Sequence, residues 1–153
     1  RVGFDDFLVK VFGAPQRLEL PPPGAKVKQD KAGMVFGRNG NDAGVLAPVT
    51  GTVLAVNHKA VEHPEIAHHD PYQEGWLFIV EPDIPKRNLK RLYFGEESFQ
   101  WMEKENMKLM SLMGPEYEQL AATGGQPISD VFSNFPELGW DLLTKTFLRT
   151  EKI

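Results

Sequence analysis

The chain predicts a mainly β fold to which helices are added at the C-terminal end, and three observations carry that expectation. Met34-Val35-Phe36 and Val45-Leu46 flank Arg38-Asn39-Gly40-Asn41-Asp42. Asn-Gly between two apolar runs is a hairpin signal, because a type I′ turn needs φ > 0 at both central positions. Thr52 to Val56 and Trp76 to Val80 are short apolar runs bounded by Gly and Pro, as in a small β-sandwich or barrel. Near Gly95 the periodicity changes from strand-like to helical. A length of 153 residues suits one domain with a helical appendix.

Taken in order, Phe4 to Gly13 reads as a short helix: Phe4, Phe7, Leu8, Val11 and Phe12 share a face, acids open it and Gly13 stops it. Leu18-Glu19-Leu20 is a brief strand ended by Pro21-Pro22-Pro23-Gly24. Lys26-Val27-Lys28 alternates like an exposed strand. The hairpin follows, its tip expected to stand exposed. Thr52 to Val56 is apolar enough to suggest burial on both faces. Asn57 to Gly75 reads as a polar surface connection holding all four histidines, and Trp76 to Val80 is the strongest strand.

Glu96 to Met113 is helical, with Phe99, Met102, Asn106, Met110 and Met113 near one stripe and Leu109 beside it. Methionines in such a stripe suit packing or an adaptable binding face. Gly114-Pro115 breaks this helix. Another short one is expected from Glu116 to Ala122, then a hinge at Thr123-Gly124-Gly125-Gln126-Pro127. Ser129 can cap a turn through Asn134, and Pro136 opens a final helix carrying Leu138, Leu142, Leu143 and Phe147. The expected division is a β core over residues 1–95 and a helical extension over 96–153, packed on that core or on a partner.

Composition excludes several functions. A net charge of -4 offers neither a basic footprint for nucleic acid nor a polybasic patch for anionic lipid. With no cysteine, disulfides, thiolate metal sites and a Cys nucleophile are absent, which fits a cytoplasmic location. No run of the sequence has the length and apolarity of a transmembrane helix. Ser98, Ser111, Ser129 and Ser133 lie on helical stretches without a nucleophile elbow, and Asp5-Asp6 and Glu96-Glu97 are helix-start carboxylates. Gly37, Gly40 and Gly44 lack the helix and Lys-Ser/Thr pair of a phosphate loop. His63, His68, His69 and Asp70 are weak candidates for zinc, lacking the spacing of a helical His-Glu-x-x-His set. No enzyme activity and no cofactor is expected.

Several strings together resemble the glycine cleavage system H protein family. Leu18-Glu19-Leu20-Pro21, Gly24 and Lys26-Val27-Lys28 are similar to its opening strands, and Ala47-Pro48-Val49-Thr50-Gly51-Thr52-Val53 through Val56-Asn57 to its Ser-Pro-Val-Ser-Gly-x-Val strand. Pro64-Glu65-Ile66 and Asp70-Pro71-Tyr72, then Glu74-Gly75-Trp76-Leu77, resemble its Asp-Pro-Tyr-Gly-x-Gly-Trp-Leu segment. The resemblance runs from about Val2 to Glu105. It implies a barrel-sandwich hybrid that carries lipoate on a hairpin lysine and passes an aminomethyl group between a pyridoxal enzyme, a folate transferase and a flavin dehydrogenase.

From Leu18 to Pro48 the spacing matches without a gap, so Gly37, Arg38, Asn39 and Gly40 stand where that family has Glu-Ser-Val-Lys. Gly40 takes the place of the lipoyl lysine and has no amine. Lys31 and Lys59 lie away from the tip. The resemblance thus implies a non-catalytic, non-lipoylated module that binds or scaffolds protein partners, possible ones being glycine-cleavage-like or redox subunits. The alternatives are a carrier using another lysine and a docking domain of a larger redox complex. The tip, Arg38 to Asp42, is the expected partner contact, with Arg38 and Asp42 as the polar contacts at its exposed apex.

Overall fold

A computed structural model describes residues 1–115, 117 and 128–150. The expected hinge at 123–127, and the helix from Glu116 to Ala122 apart from Tyr117, lie outside the described residues.

Helix α1 (Asp6–Phe12) begins two residues later than expected, because Asp5 caps it, its Oδ1 accepting from Leu8 N at 2.8 Å; Gly13 ends it as expected, at φ 66°. Six strands follow: β1 (Arg17–Glu19), β2 (Lys26–Val27), β3 (Ala32–Arg38), β4 (Asn41–Leu46), β5 (Gly51–Val56) and β6 (Phe78–Pro82). They make two three-stranded antiparallel sheets, ordered β1-β3-β4 and β2-β5-β6. In the first, Phe36 stands opposite Leu18 on one side and Ala43 on the other, which fixes the register of the inward face. Both sheets and α1 feed one buried cluster, through Leu18 and Phe36, Val53 and Phe78, and Val11 and Phe12.

Three sequence expectations are corrected here. Strand β5 is not buried on both faces: Leu54 is 54% exposed, because an antiparallel sheet covered on one side leaves alternate residues in water. Strand β6 begins two residues later than expected. Trp76 and Leu77 spend their backbone groups elsewhere, Trp76 O accepting from Asn57 Nδ2 at 2.6 Å and Leu77 N donating to Val2 O at 2.8 Å. The connection after Asn57 is no plain loop but two short helices, α2 (His58–Glu62) and α3 (Ile66–His69), each anchored by one fully buried alanine, Ala60 and Ala67.

After β6 comes α4 (Pro85–Leu89), a turn the sequence reading missed, whose Asn88 is buried and donates to Thr50 O at 3.0 Å. Helix α5 (Glu96–Met113) has the expected bounds but a shifted face. Its buried residues are Glu105 and Leu109, whereas Phe99 and Met107 are exposed. The stripe is displaced because Glu105, which breaks the apolar pattern, packs inward with both carboxylate oxygens bonded to Lys108 Nζ at 3.1 Å.

The extension then lies on the core. Helix α6 (Val131–Asn134) is capped by Asp130 rather than Ser129, with Ser133 N donating to Asp130 Oδ1 at 3.2 Å. The single final helix expected after Pro136 is three pieces: a 3-10 turn (Pro136–Leu138), α7 (Gly139–Leu143) and a π turn (Thr144–Leu148). The buried Thr144 hydroxyl bonds back to Trp140 O at 2.9 Å and accompanies this change of pitch. Trp140 enters the core, its ring 5.3 Å from Phe12, 5.2 Å from Phe36 and 4.9 Å from Phe132.

Trp140→Ala should therefore lower unfolding free energy by about 3–5 kcal/mol, read from urea denaturation of the intact chain. Leu54→Ser, on the wet face of β5, should change it by no more than about 0.5 kcal/mol.

Candidate functional site

The β3–β4 turn has the geometry that its residues call for. Asn39 and Gly40 have φ of 50° and 74°, the left-handed pair of a type I′ hairpin. A Cβ built at Gly40 meets nothing within 4 Å, so the apex is open and its glycine answers to backbone conformation rather than to crowding. Gln16 braces the turn, its Oε1 accepting from Asn39 N at 2.8 Å and its Nε2 donating to Asn39 Oδ1 at 3.2 Å.

Arg38 is not the free group expected at an exposed apex. Its side chain is only 13% exposed, and its guanidinium forms a two-pronged pair with Asp130, Nη1 to Oδ1 and Nη2 to Oδ2, both 2.6 Å. Arg38 Nη1 also donates to Phe12 O, and Nη2 to Ser133 Oγ at 2.9 Å. Such fork geometry is what guanidinium supplies and ammonium does not. The pair needs Gly13 beside it: a Cβ there would run into the guanidinium and lie 2.8 Å from the Asp130 carboxyl. Asp130 itself holds φ 57°, a left-handed conformation that Asp tolerates better than most residues.

Asp42 is likewise engaged. Its Oδ2 lies 2.6 Å from Arg17 Nη2, and its carbonyl accepts from Trp140 Nε1 at 3.1 Å. Thr150 Oγ1 donates to Gly44 O at 2.8 Å, so the extension grips β4 as well as Arg38. Of the five tip residues, Asn39 and Gly40 are exposed, while Arg38, Asn41 and Asp42 are half-buried. Asp130-x-x-Ser133 carries a readable cap signature, but nothing local links it to an arginine 92 positions away.

The histidine candidates do not assemble. His63 Nδ1 lies 3.6 Å from Glu65 Oε1, His68 packs edge-on against His69 at 5.1 Å, and Asp70 Oδ2 accepts from Glu74 N at 3.1 Å. Among the described residues no group of three or more His, Asp or Glu converges as a metal would require. His68 Nδ1 is buried without a hydrogen-bond partner in the described structure, and burial, then the neighbouring His69, holds its pKa below the ordinary 6.5. The lysines lie apart from the apex. Lys31 precedes β3, roughly 23 Å of extended strand from the turn, and Lys59 is paired with Glu74 on α2.

Burial alone would raise the Asp130 carboxyl, but hydrogen bonds from Arg38 and Ser133 outweigh it and hold the pKa below the usual 3.8. A carboxylate depressed on folding contributes stability that is complete above its unfolded pKa and lost as pH falls through the folded value. Asp130→Asn should thus lower stability by a constant amount near neutrality, with the gap to the parent closing below pH 3.8. Arg38→Ala, leaving Asp130 half-buried and unpaired, should cost about 2 kcal/mol. Both are read from urea midpoints across a pH series.

Comparisons with known proteins agree on one family. A model described as glycine cleavage H-protein matches residues 1–105. The chain is 36% identical over 84 residues to a probable glycine cleavage system H protein of Aeropyrum pernix, covering 55% of this chain and 59% of that protein. It is 38% identical over 90 residues to the H protein of a Synechococcus species, covering 57% and 67%. A crystal structure of a glycine cleavage system H protein from Mycobacterium marinum superposes with a TM-score of 0.51 at 28% identity, over 53% of this chain and 64% of that one. The chain therefore spans only about three-fifths of the Aeropyrum relative. The two sheets and α1 are the barrel-sandwich hybrid of that fold. The match ends inside α5, so residues 106–153 lie beyond it. By sequence and by fold, this chain belongs to the glycine cleavage H-protein family.

Proposed function

We propose that this chain is a non-catalytic H-protein-like module that binds protein partners and carries no lipoyl arm. The observation that carries the reading is Gly40 at the apex of the hairpin, at φ 74° and with open space around it. In the resemblance described above, that position belongs to the lipoyl lysine. An amide to lipoate needs a primary amine, and glycine offers none. An enzyme that docks on the apex would not find one in Lys31 or Lys59, since a catalytic group must first be within reach of its substrate.

The hairpin suits docking. Arg38 ties its root to Asp130 and Phe12, Gln16 braces Asn39, and Trp140 holds Asp42. A recognition loop already held in place loses little conformational freedom on binding. The exposed pair Asn39-Gly40 is the contact at the apex, with Asn41 beside it. The partners are proteins of the glycine-cleavage or redox kind, reached without the swinging arm. No helix among the described residues is long and apolar enough to cross a membrane; the module works in the cytoplasm.

Intact mass after co-expression with a lipoate ligase and lipoate tests this. The parent chain should stay unmodified, and an added lipoyl group on it would overturn the reading. Gly40→Lys restores an amine at the apex and should gain that mass, at a cost of about 1 kcal/mol for a side chain at positive φ.

A further inference from the structure

Away from the hairpin, α1 and α5 border a groove of about 600 Å³ that the proposed function does not use. Its floor is Phe7 and Trp101, whose rings meet edge-on at 6.3 Å. Tyr93 stacks on Trp101 at 6.1 Å with only 22° between the planes. Around this floor Tyr72, Tyr93, Phe94 and Phe99 stand between 56% and 73% exposed. Four large rings left in water around one concavity are unusual for a surface that has no occupant. Tyr72 is fixed as one wall from a distant part of the chain, its Oη accepting from Asp6 N at 3.3 Å.

Two of the three charged groups lining this groove, Asp5 and Asp6, are acidic. Asp6 is exposed at the rim, where its carboxylate holds the Tyr72 hydroxyl through a side-chain hydrogen bond. Asp5 lies half-buried beside it and burial raises its pKa, the mark of a poorly hydrated wall. Lys10 is the basic group of the lining, and its ammonium is already bonded to Asn106 Oδ1 at 2.9 Å, with burial lowering its pKa. An anion would face two carboxylates. A cation would meet exposed aromatic rings and the Asp6 carboxylate together, the combination that recognises alkylammonium groups. The size and the apolar lining with few polar groups are those of a small-ligand site.

We propose that the groove between α1 and α5 binds a small organic cation of the alkylammonium class, its head held by Asp6 and the rings of Tyr72 and Phe99 and its apolar body lying over Tyr93 and Trp101. This site is separate from the hairpin and does not depend on what the hairpin binds.

The test is a titration of the intact chain with choline and with its neutral carbon isostere dimethylbutanol, following the Trp101 indole N–H resonance. Choline should give a saturable shift, and the isostere should bind at least about ten-fold more weakly. Phe99→Ala removes an exposed side chain and should keep the parent's thermal melt, whereas Asp6→Asn, in the first turn of α1, should lower it only slightly. Each should weaken choline by about three-fold or more. The absence of a saturable shift, equal binding of the isostere, or choline binding unchanged in both variants would overturn the proposal.

Discussion

Trp140 is the contact through which the extension and the sandwich become one body. Its ring lies against Phe12 of α1, Phe36 of β3 and Phe132 of α6, and its indole N–H donates to Asp42 O on β4. These elements come from distant parts of the chain. The aromatic faces supply burial, while the single indole hydrogen bond fixes how the extension is turned on the sheet. Val131 and Leu143, both fully buried, fill the space beside it, so the cluster that begins with Phe4 continues without a gap into the last described residues.

That attachment changes what the hairpin is. Arg38, at the root of the turn, points to the extension and pairs with Asp130 instead of waiting for a partner. Gly13 makes room for the pair, and Asp130 accepts a left-handed backbone to cap α6 while presenting its carboxyl to the guanidinium. What remains outward is a short apex of Asn39 and Gly40 on a stalk braced by Asp130, Gln16 and Trp140. The turn closes on Gly40, which brings no side chain to the apex.

How much of this was legible follows from the range of each interaction. Local features were readable: Gly13 ends α1, Asn39-Gly40 forms a type I′ turn, and α5 runs from Glu96 to Met113. So was the family, because Asp70-Pro71-Tyr72 and Gly75-Trp76-Leu77 stand in register with the earlier strands. Faces were less legible. Leu54 sits in an apolar run yet looks into solvent, and α5 turns Glu105 inward and Phe99 outward, because both choices depend on what packs opposite. Long-range partners were not legible at all. Arg38 carries no local sign of Asp130, and Tyr72, Tyr93 and Phe99 carry none of the groove they share.

Residues 128–150 are part of the fold rather than an appendage, because Asp130, Trp140 and Thr150 bond to the β3–β4 hairpin. Amide and indole hydrogen exchange on the intact chain measures this directly. The Trp140 indole N–H should be protected to the same free energy as the β3–β4 ladder amides of Phe36 and Ala43, all opening together. An indole that exchanges far faster than those amides, with the ladder still protected, would contradict it.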